Sequence, residues 1–411
     1  MFTFRTSITF AVMAFIAAVA GLLIFIQFWT SQLAAKEAAS ARMDAAGAET
    51  LGRLRNEISE VTSIVDVLSS SSSVADSDER SEVGRAIPLL KAAVLEVPQI
   101  DSIYVAYDNG GWLQMRPLYH LNDEQRIKLR VPAGATFGIS LIRPTPTGAL
   151  PMRRVFEDQR GNELEQLDLW KYGYDPRGRA WYVDTIKADR TLISSPYIAF
   201  SISAAVITVS APLRGKVRGV IAADLKLDDF SNFVHAQRPG EHGTAVMFDE
   251  TGMLLAHPDF AQFVKDAMTH PSHPQLFSIK QMGGGLAASV LKAWNGGDQY
   301  DGSIRSERGR DFLFRLRKFK LGEQFGVYIL MVAQQDDFVK DIQRLNRVGL
   351  IIAAIASAAF VPGVWFFGNK MSRSIKTITA QAAKLQTMGP PPPKAHRSVR
   401  ISGKFTNSAS P

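Results

Sequence analysis

The run between residues 174 and 182 concentrates side chains suited to holding a small anion. It reads YDPRGRAWY, so two arginines stand among two tyrosines and a tryptophan beside an Asp-Pro turn signal. A guanidinium is a planar fork of donors that binds a carboxylate through parallel hydrogen bonds, and aromatic rings supply apolar walls and cation–π surface. The run therefore predicts part of a pocket for a small carboxylate ligand.

The composition of the chain is that of an ordinary globular protein. Of 411 residues, 46% are hydrophobic and 21% are charged, and none is cysteine. The lack of cysteine excludes disulfide bridges, thiolate metal sites and a cysteine nucleophile. Phosphate-loop, HExxH and GxSxG motifs are also absent from the sequence. We therefore expect a binding protein and not an enzyme, with no cofactor and no resident metal.

Two apolar runs predict membrane-spanning helices at residues 7–29 and 347–368. The first would be roughly 30 Å long as a helix, and it exceeds the apolar region of about 7–15 residues in a cleaved signal peptide, which is its alternative. A buried core helix is the alternative for the second. Lys and Arg residues follow the second run, so the positive-inside rule places both ends in the cytoplasm and the segment between them outside. The net charge of +8 partly reflects these flanks and does not indicate nucleic-acid binding.

Between the two runs, the pattern predicts a long helix followed by two similar units of mixed helix and strand. Apolar residues in the helix recur at spacings of three and four, which fits either packing on its own domain or a dimer seam. These residues are Leu51, Leu54, Ile58, Val61, Val65 and Leu68. Alternating apolar and polar residues predict strands in the first unit, including 205–211 and 217–225, and the pattern restarts near Pro239.

Histidines offer weaker candidate sites. His270 and His273 could form a metal pair, but a proline lies between them and no third ligand is evident, so a solvated loop is the preferred interpretation. His242, His257 and Asp259 could surround a second pocket, although ordinary roles in loops are preferred for them too.

Several motifs resemble a known receptor family. The run at 174–182, followed by SPY at 195–197 and GVIAADL at 219–225, is similar to the membrane-distal module of a double Cache domain. DETG at 249–252 with LAHP at 255–258 resembles the matching hairpin of the proximal module, and 326–338 resembles the last strand and exit helix. The likeness extends over about residues 31–345.

The resemblance implies the fold class and the division of the chain. The expected fold is α/β (α+β), with a long N-terminal helix that carries two stacked PAS-like Cache modules between two transmembrane helices. The expected segments are a cytoplasmic N-terminus (1–6), the first transmembrane helix (7–29), the long helix with the distal module (30–238), the proximal module (239–346), the second transmembrane helix (347–368), a HAMP-like helix (369–389) and a disordered Pro-rich, basic tail (390–411).

The resemblance also implies the site residues. In amino-acid-sensing members of the family, the corresponding side chains surround the ligand; in this sequence they are Tyr174, Arg179, Trp181, Tyr182, Tyr197 and Asp224. Arg179 and Trp181 would take the carboxylate, and Tyr197 and Asp224 would take the ammonium group. The structural alternative is that the run forms a turn and core packing, with Arg179 paired to Asp224 in the empty protein.

The implied function is a small-molecule sensor in the bacterial inner membrane, with its sensor segment in the periplasm. Its expected partners are an amino acid or organic acid, the lipid bilayer and a second copy of the chain, without nucleic acid. Two alternatives remain open. The chain could be a class III nucleotide cyclase or chemoreceptor that has lost its output domain, or a membrane-tethered interaction module that transmits no signal.

Overall fold

The computed structural model of the chain describes residues 4–76, 80–169, 173–199, 201–269, 278–321 and 325–338, with isolated residues between 348 and 384. The chain divides into two compact units: Ser31–Ile342 is one, and Met1–Thr30 with Gln343–Pro411 is the other. His270 and His273 and the tail lie outside the described residues, as do most of the second predicted span and of the HAMP-like helix. The expectations for these segments remain predictions.

A single helix, α1 (Phe4–Ser69), opens the described chain. Of the helices in the described residues, it alone is long and apolar enough to cross a membrane, with a mean hydropathy of 1.5 over its most apolar stretch. Large apolar side chains in its first part are exposed, as shown by Leu23 at 61% and Trp29 at 67%. Such a surface suits contact with lipid.

The second half of α1 packs on its own unit. Leu54, Ile58, Val61 and Val65 are at most 5% exposed and belong to the main core of residues 31–342. The apolar seam predicted from the sequence therefore serves the chain's own core, which was the first of the two alternatives.

The first module follows α1. Its helices are α2 (Ser72–Ala75), α3 (Arg80–Glu96), α4 (Asp123–Leu129), α5 (Ala180–Ala188) and α6 (Leu227–Ala236). Its strands are β1 (Ile100–Tyr107), β2 (Trp112–Pro117), β3 (Phe137–Ile142), β4 (Met152–Glu157), β5 (Glu163–Leu169), β6 (Leu192–Ile193), β7 (Tyr197–Ala199), β8 (Ala204–Pro212) and β9 (Gly219–Lys226). Within the described residues, they form one sheet in the order β5-β4-β3-β2-β1-β9-β8-β6, with β7 paired to β8.

The second module is smaller. Its elements are β10 (Thr244–Asp249), β11 (Leu254–Ala256), α7 (Phe260–Met268), α8 (Leu286–Ala293), β12 (Gln299–Arg305), β13 (Asp311–Leu321) and β14 (Phe325–Gln334). The described strands form a sheet in the order β11-β10-β14-β13-β12. Neighbouring strands in both sheets pair antiparallel. The predicted mixed fold of helices and sheets is confirmed, and its antiparallel pairing makes it α+β.

One hydrophobic core joins the two modules through α1. Leu54 and Ile58 of α1 meet Ile207 on β8 and Met247 on β10 around a gap of only about 10 Å³. That is barely the space of one water molecule, so the junction is packed and not an open cleft. The opposite face of the larger sheet carries the candidate site.

Candidate ligand-binding site

The register of the larger sheet determines the floor of the site. Thr208 on β8, Asp224 on β9 and Ser102 on β1 are direct partners across three neighbouring strands. Partners in a ladder point to the same side of a sheet, because side chains alternate between its faces. The three side chains therefore lie side by side on the face opposite the shared core.

A second row crosses the same face one step further along the strands. Tyr104, Gln114, Ser140 and Arg154 are successive partners on β1, β2, β3 and β4. The row beyond it is apolar and contains Trp112 and Met152. The floor is therefore polar on one side and apolar on the other.

The run at 174–182 forms a wall above this floor. Asp175 accepts a hydrogen bond from the backbone N–H of Arg177 at 2.9 Å, which starts a short 3-10 helix at Pro176–Gly178. The Arg177 guanidinium pairs with Asp175 at 2.8 Å and donates to the backbone oxygen of Asp108 at 3.2 Å. These contacts fix the run to the β1–β2 turn, and the hydrogen bond from Arg177 lowers the pKa of Asp175.

Helix α5 begins directly after Arg179 and covers the floor. Its Thr185 hydroxyl lies 2.7 Å from that of Ser210 on β8, which holds the helix to the sheet. Trp181, one turn earlier, places its ring 5.0 Å from the ring of Tyr104. Tyr182 follows it on the helix, turned by about 100°, and its nearby charged groups include Asp108 in the β1–β2 turn and Arg177 in the 174–182 run.

Sheet, run and helix enclose a cavity of about 620 Å³, a volume within the usual range of roughly 300–1,000 Å³ for small-molecule sites. Five of the six residues predicted from the sequence line it: Tyr174, Arg179, Trp181, Tyr197 and Asp224. The sixth, Tyr182, is buried but is not among the described residues of the lining. Lining residues that the sequence did not predict include Tyr104, Trp112, Gln114, Met152, Arg154 and Asp184.

Asp224 is a buried carboxylate held by hydroxyl groups. It accepts hydrogen bonds from Tyr104 and Thr208, each at 2.7 Å, and from Ser102 at 3.2 Å. The Tyr197 hydroxyl lies 2.8 Å from that of Thr208 and 3.4 Å from the carboxylate. Burial raises the pKa of Asp224, and the hydrogen bonds from Thr208 and Tyr104 partly oppose that rise.

The two phenols beside Asp224 stay protonated. Burial, followed by the nearby Asp224 charge, raises the pKa of Tyr104 and of Tyr197 well above the usual value for tyrosine. Both hydroxyls are therefore available as hydrogen-bond donors at neutral pH. They stabilise the ionised form of Asp224 without neutralising its charge.

Hydrogen bonds from neighbouring side chains orient the Ser102 hydroxyl on the cavity floor. Arg116 pairs with Asp101 at 3.2 Å, and both side chains are at most 4% exposed. Arg116 and Gln114 also donate to the Ser102 oxygen, at 3.2 and 3.1 Å. Because Ser102 accepts from both, its own proton is directed to Asp224.

Arg179 occupies an exposed position on the cavity wall. Its guanidinium carbon lies 4.8 Å from the centre of the Tyr174 ring, and that ring is 5.1 Å from Trp112. None of the ion pairs among the described residues includes Arg179 or Asp224. The alternative of an Arg179–Asp224 pair is therefore not the arrangement observed, and the two opposite charges stand apart in one cavity.

The histidine candidates have local partners. His242 Nδ1 lies 2.9 Å from Asp337, and His257 Nδ1 accepts from the backbone N–H of Asp259 at 3.0 Å. Burial lowers the pKa of His257. Glu241, His242 and Asp337 place potential ligand atoms within 4.8 Å of one another, but two of the three residues are exposed. These contacts fit the loop roles preferred from the sequence.

A comparison with protein families identifies the segment that contains most of the cavity. Residues 137–232 match the model of the first PDC sensor domain of methyl-accepting chemotaxis protein-like proteins. The segment includes the five predicted residues that line the cavity, whereas Tyr104, Trp112 and Gln114 precede it. The receptor resemblance predicted from the motifs is thereby confirmed.

Curated relatives include both chemoreceptors and a cyclase. Adenylate cyclase 1 of Rhizobium meliloti is 24% identical over 258 residues, which are 62% of this chain and 38% of that protein. Methyl-accepting chemotaxis protein PctB of Pseudomonas aeruginosa is 31% identical over 155 residues, which are 35% of this chain and 25% of that protein. The chain thus spans well under half the length of these relatives.

Among solved structures, the ligand-binding domain of the Pseudomonas aeruginosa amino acid chemoreceptor PctC in complex with GABA is similar, with a TM-score of 0.43 and 17% identity. The match covers 71% of this chain and 98% of that domain.

Proposed function

We propose that this chemoreceptor-type sensor domain binds a free α-amino acid in the cavity between the larger sheet and α5. One observation carries the proposal: a single cavity contains an exposed cation, Arg179, and a buried anion, Asp224, whose direct partners are hydroxyl groups. An amino acid is a zwitterion that would pair with both. A buried charge is stable only when it is paired and hydrogen-bonded.

Different side chains around the cavity would contact the carboxylate and the ammonium group of the ligand. The carboxylate lies at the Arg179 guanidinium and the indole N–H of Trp181, where a bidentate hydrogen bond can form. The ammonium group lies at Asp224, next to the Tyr197 hydroxyl. Tyr174 forms an aromatic wall beneath Arg179, at 4.8 Å. Tyr182, expected from the sequence to contact the ligand, instead supports Trp181 at a ring distance of 5.9 Å.

The first test removes the carboxylate contact. Arg179→Ala in the full chain, embedded in lipid nanodiscs, should weaken amino-acid binding roughly 10- to 100-fold, because a hydrogen bond to a charged group contributes about 1.5–3 kcal/mol. Titration calorimetry against a panel of amino acids and organic acids measures the affinity, and a thermal melt confirms that the variant is folded.

Arg160→Ala is the matched control, because Arg160 is an exposed arginine in the β4–β5 turn. Its affinity should equal that of the unchanged protein. If the folded protein binds no amino acid of the panel, or if Arg179→Ala binds as tightly as Arg160→Ala, the proposal is wrong.

The site would lie in the periplasm, in a two-pass protein of the bacterial inner membrane. The long apolar start of α1 supports one span, and the charge-free run at 347–368 with basic residues after it supports the second and its orientation. Since the chain has no cysteine, Arg160→Cys and Lys394→Cys each provide a single label. A membrane-impermeant maleimide applied to spheroplasts should label the first and reach the second only after permeabilisation; the reverse pattern would refute this topology.

Signalling would run through α1, which shares one packed core with both modules. A ligand shifts an equilibrium between two conformations of the domain only by binding one conformation more tightly than the other. We further propose that the output is of the cyclase kind or of the chemoreceptor kind, as in the relatives, and that the protein acts as a homodimer. Because the seam of α1 is buried in its own unit, a dimer would use other surfaces.

A further inference from the structure

We propose that the buried ion pair of Asp101 and Arg116 positions Asp224 and thereby sets the pH range in which the site accepts an ammonium group. The inference rests on the proposed function and names two positioning residues for its ammonium end. Neither is among the described residues that line the cavity, and neither was predicted from the sequence. They act on the ligand only through Asp224 and its neighbours.

A bulge in β1 brings the carboxylate of Asp101 to the pair. Ser102 pairs directly with Asp224, but the register shifts between residues 100 and 102, so Asp101 has no partner on β9. Bulges often re-aim a side chain in this way. The Asp101 carboxylate accepts a hydrogen bond from Arg116 Nε on β2 at 3.2 Å, and each side chain is at most 4% exposed. The two charges are therefore hardly screened by solvent.

Arg116 joins this pair to the cavity. Its Nη2 donates to the Ser102 oxygen at 3.2 Å, and the Ser102 hydroxyl donates to Asp224 Oδ2 at 3.2 Å. Its Nη1 donates to the Ser201 oxygen at 3.3 Å, and Ser201 lines the cavity after β7. One guanidinium thus holds both the floor at the ammonium end and the segment beside it. Arginine suits this role because its planar fork presents donors in fixed directions.

The two charges of the pair act on Asp224 in opposite directions. Burial raises the pKa of Asp224, and the hydrogen bonds from Thr208 and Tyr104 lower it. The charge of Asp101 raises this pKa, whereas the charge of Arg116 lowers it. An ammonium group pairs with the ionised carboxylate, so Arg116 extends binding toward acid pH and Asp101 restricts it.

Other ionisable groups near Asp224 and the pair keep one charge state at neutral pH. They are Tyr104, Tyr174, Tyr197, Arg154, Arg179, Asp184, Lys226 and His120. Burial raises the pKa of Tyr104 and of Tyr197, so both phenols stay protonated. Burial lowers the pKa of His120, so its titration belongs to the acid end of the range. His120 is therefore the group that the test must separate from Asp224.

The test measures how amino-acid affinity depends on pH, from about pH 5 to pH 9. Titration calorimetry on the full chain in nanodiscs uses the tightest-binding member of a panel of L-amino acids. Arg116→Met should weaken binding roughly tenfold at the acid end and less than threefold at the basic end, because Asp224 then holds its proton to higher pH. Asp101→Asn should have the opposite effect and strengthen binding at the acid end.

Conservative and control variants separate charge from packing. Arg116→Lys keeps the charge and should keep the pH profile of the unchanged protein. Arg153→Met is the matched control, since Arg153 pairs with Asp168 at 3.1 Å and both are partly exposed; its profile should also be unchanged. His120→Gln, combined with each variant, should preserve the directions of both effects. If the pH dependence disappears with His120→Gln, the titrating group is His120 and the inference is wrong.

The remaining outcomes distinguish this inference from the proposed function. An Arg116→Met loss that is equal at every pH would show a purely structural role and overturn the inference, as would unchanged or weaker acid-end binding by Asp101→Asn. Amino-acid binding by the unchanged protein would stand in both cases. If Arg116→Met does not fold in a thermal melt, Arg116→Gln replaces it with the same expected profile, and Asp101→Asn provides an independent result. Failure of the unchanged protein to bind any amino acid of the panel would overturn the proposed function and the inference together.

Discussion

The two modules have similar central sheets and very different outer faces. In each, the last strand pairs antiparallel with the first: β9 beside β1 in the first module, and β14 beside β10 in the second module. In each, the inner face packs against α1 and the shared core. The difference lies in the residues that alternate outward.

In the first module, the outward residues around Asp224 are small or polar. Ala222 lies beside Tyr104, and Asp224 lies beside Ser102 and Thr208. Small side chains leave space, and a row of hydroxyl and carboxylate groups cannot be packed dry without a heavy desolvation cost. The result is a cavity of about 620 Å³.

In the second module, the outward residues include large rings. Phe248 and Tyr328 are direct partners and stack at 5.1 Å with an interplanar angle of 9°, and Trp294 packs edge-on against both. These rings pack against one another on the outward side of the second sheet, whereas the first module has a cavity on its outward side. The comparison indicates that one sheet design serves as a binding site or as a structural support according to the outward residues of a few paired strands.

The largest expected effect tests the structural role of the second module. Phe248→Ala should lower the free energy of unfolding by about 3–5 kcal/mol, because it removes a fully buried ring from a stack, and it should leave amino-acid affinity unchanged. Thermal melts and calorimetry on the full chain measure the two quantities. Tyr119→Ala is the control for aromatic content, since Tyr119 is 53% exposed and its loss should change stability little. A folded Phe248→Ala protein with tenfold weaker binding would show that the second module contributes to the site.

Strands of both sheets could be predicted from the sequence. Alternating residues predicted strands at 205–211 and 217–225, and the structure has β8 and β9 at Ala204–Pro212 and Gly219–Lys226. The 174–182 run was recognisable because its aromatic and arginine residues are close together in the chain. Such local clusters need no knowledge of strand pairing.

The rest of the site depends on long-range register, which the sequence does not display. Tyr104, Gln114 and Arg154 lie 20 to 70 residues before the 174–182 run, and only the pairing of β1 through β4 brings them to one floor. Helix geometry explains the one predicted residue outside the cavity. Tyr182 is turned by about 100° from Trp181 on α5, and its ring lies near the charged groups of Asp108 and Arg177.

A smaller effect tests how much the polar cavity floor of the first module lowers the stability of the protein. Burial raises the pKa of Asp224 above its ordinary value, so the unfolded chain releases this proton more readily than the folded protein does. The contribution of Asp224 to stability is therefore complete below the ordinary carboxyl pKa and is lost as the pH rises through the raised pKa. Replacing it with a neutral amide should remove this loss.

Asp224→Asn should accordingly stabilise the protein, on the order of 1 kcal/mol at pH 8 and progressively less toward pH 4, while amino-acid binding weakens roughly 100-fold because the ammonium group loses its counter-charge. Melting temperatures of both proteins across this pH range measure the first effect, and calorimetry measures the second. Asp249→Asn is the control from the second module, since Asp249 is a buried carboxylate that accepts hydrogen bonds from the backbone of Thr251 and Met253 in a turn; the amino-acid affinity of this variant should not change. If Asp224→Asn is destabilised at pH 8, or binds amino acids as tightly as the unchanged protein, then Asp224 has a structural role like that of Phe248. The contrast between the two modules would then be wrong.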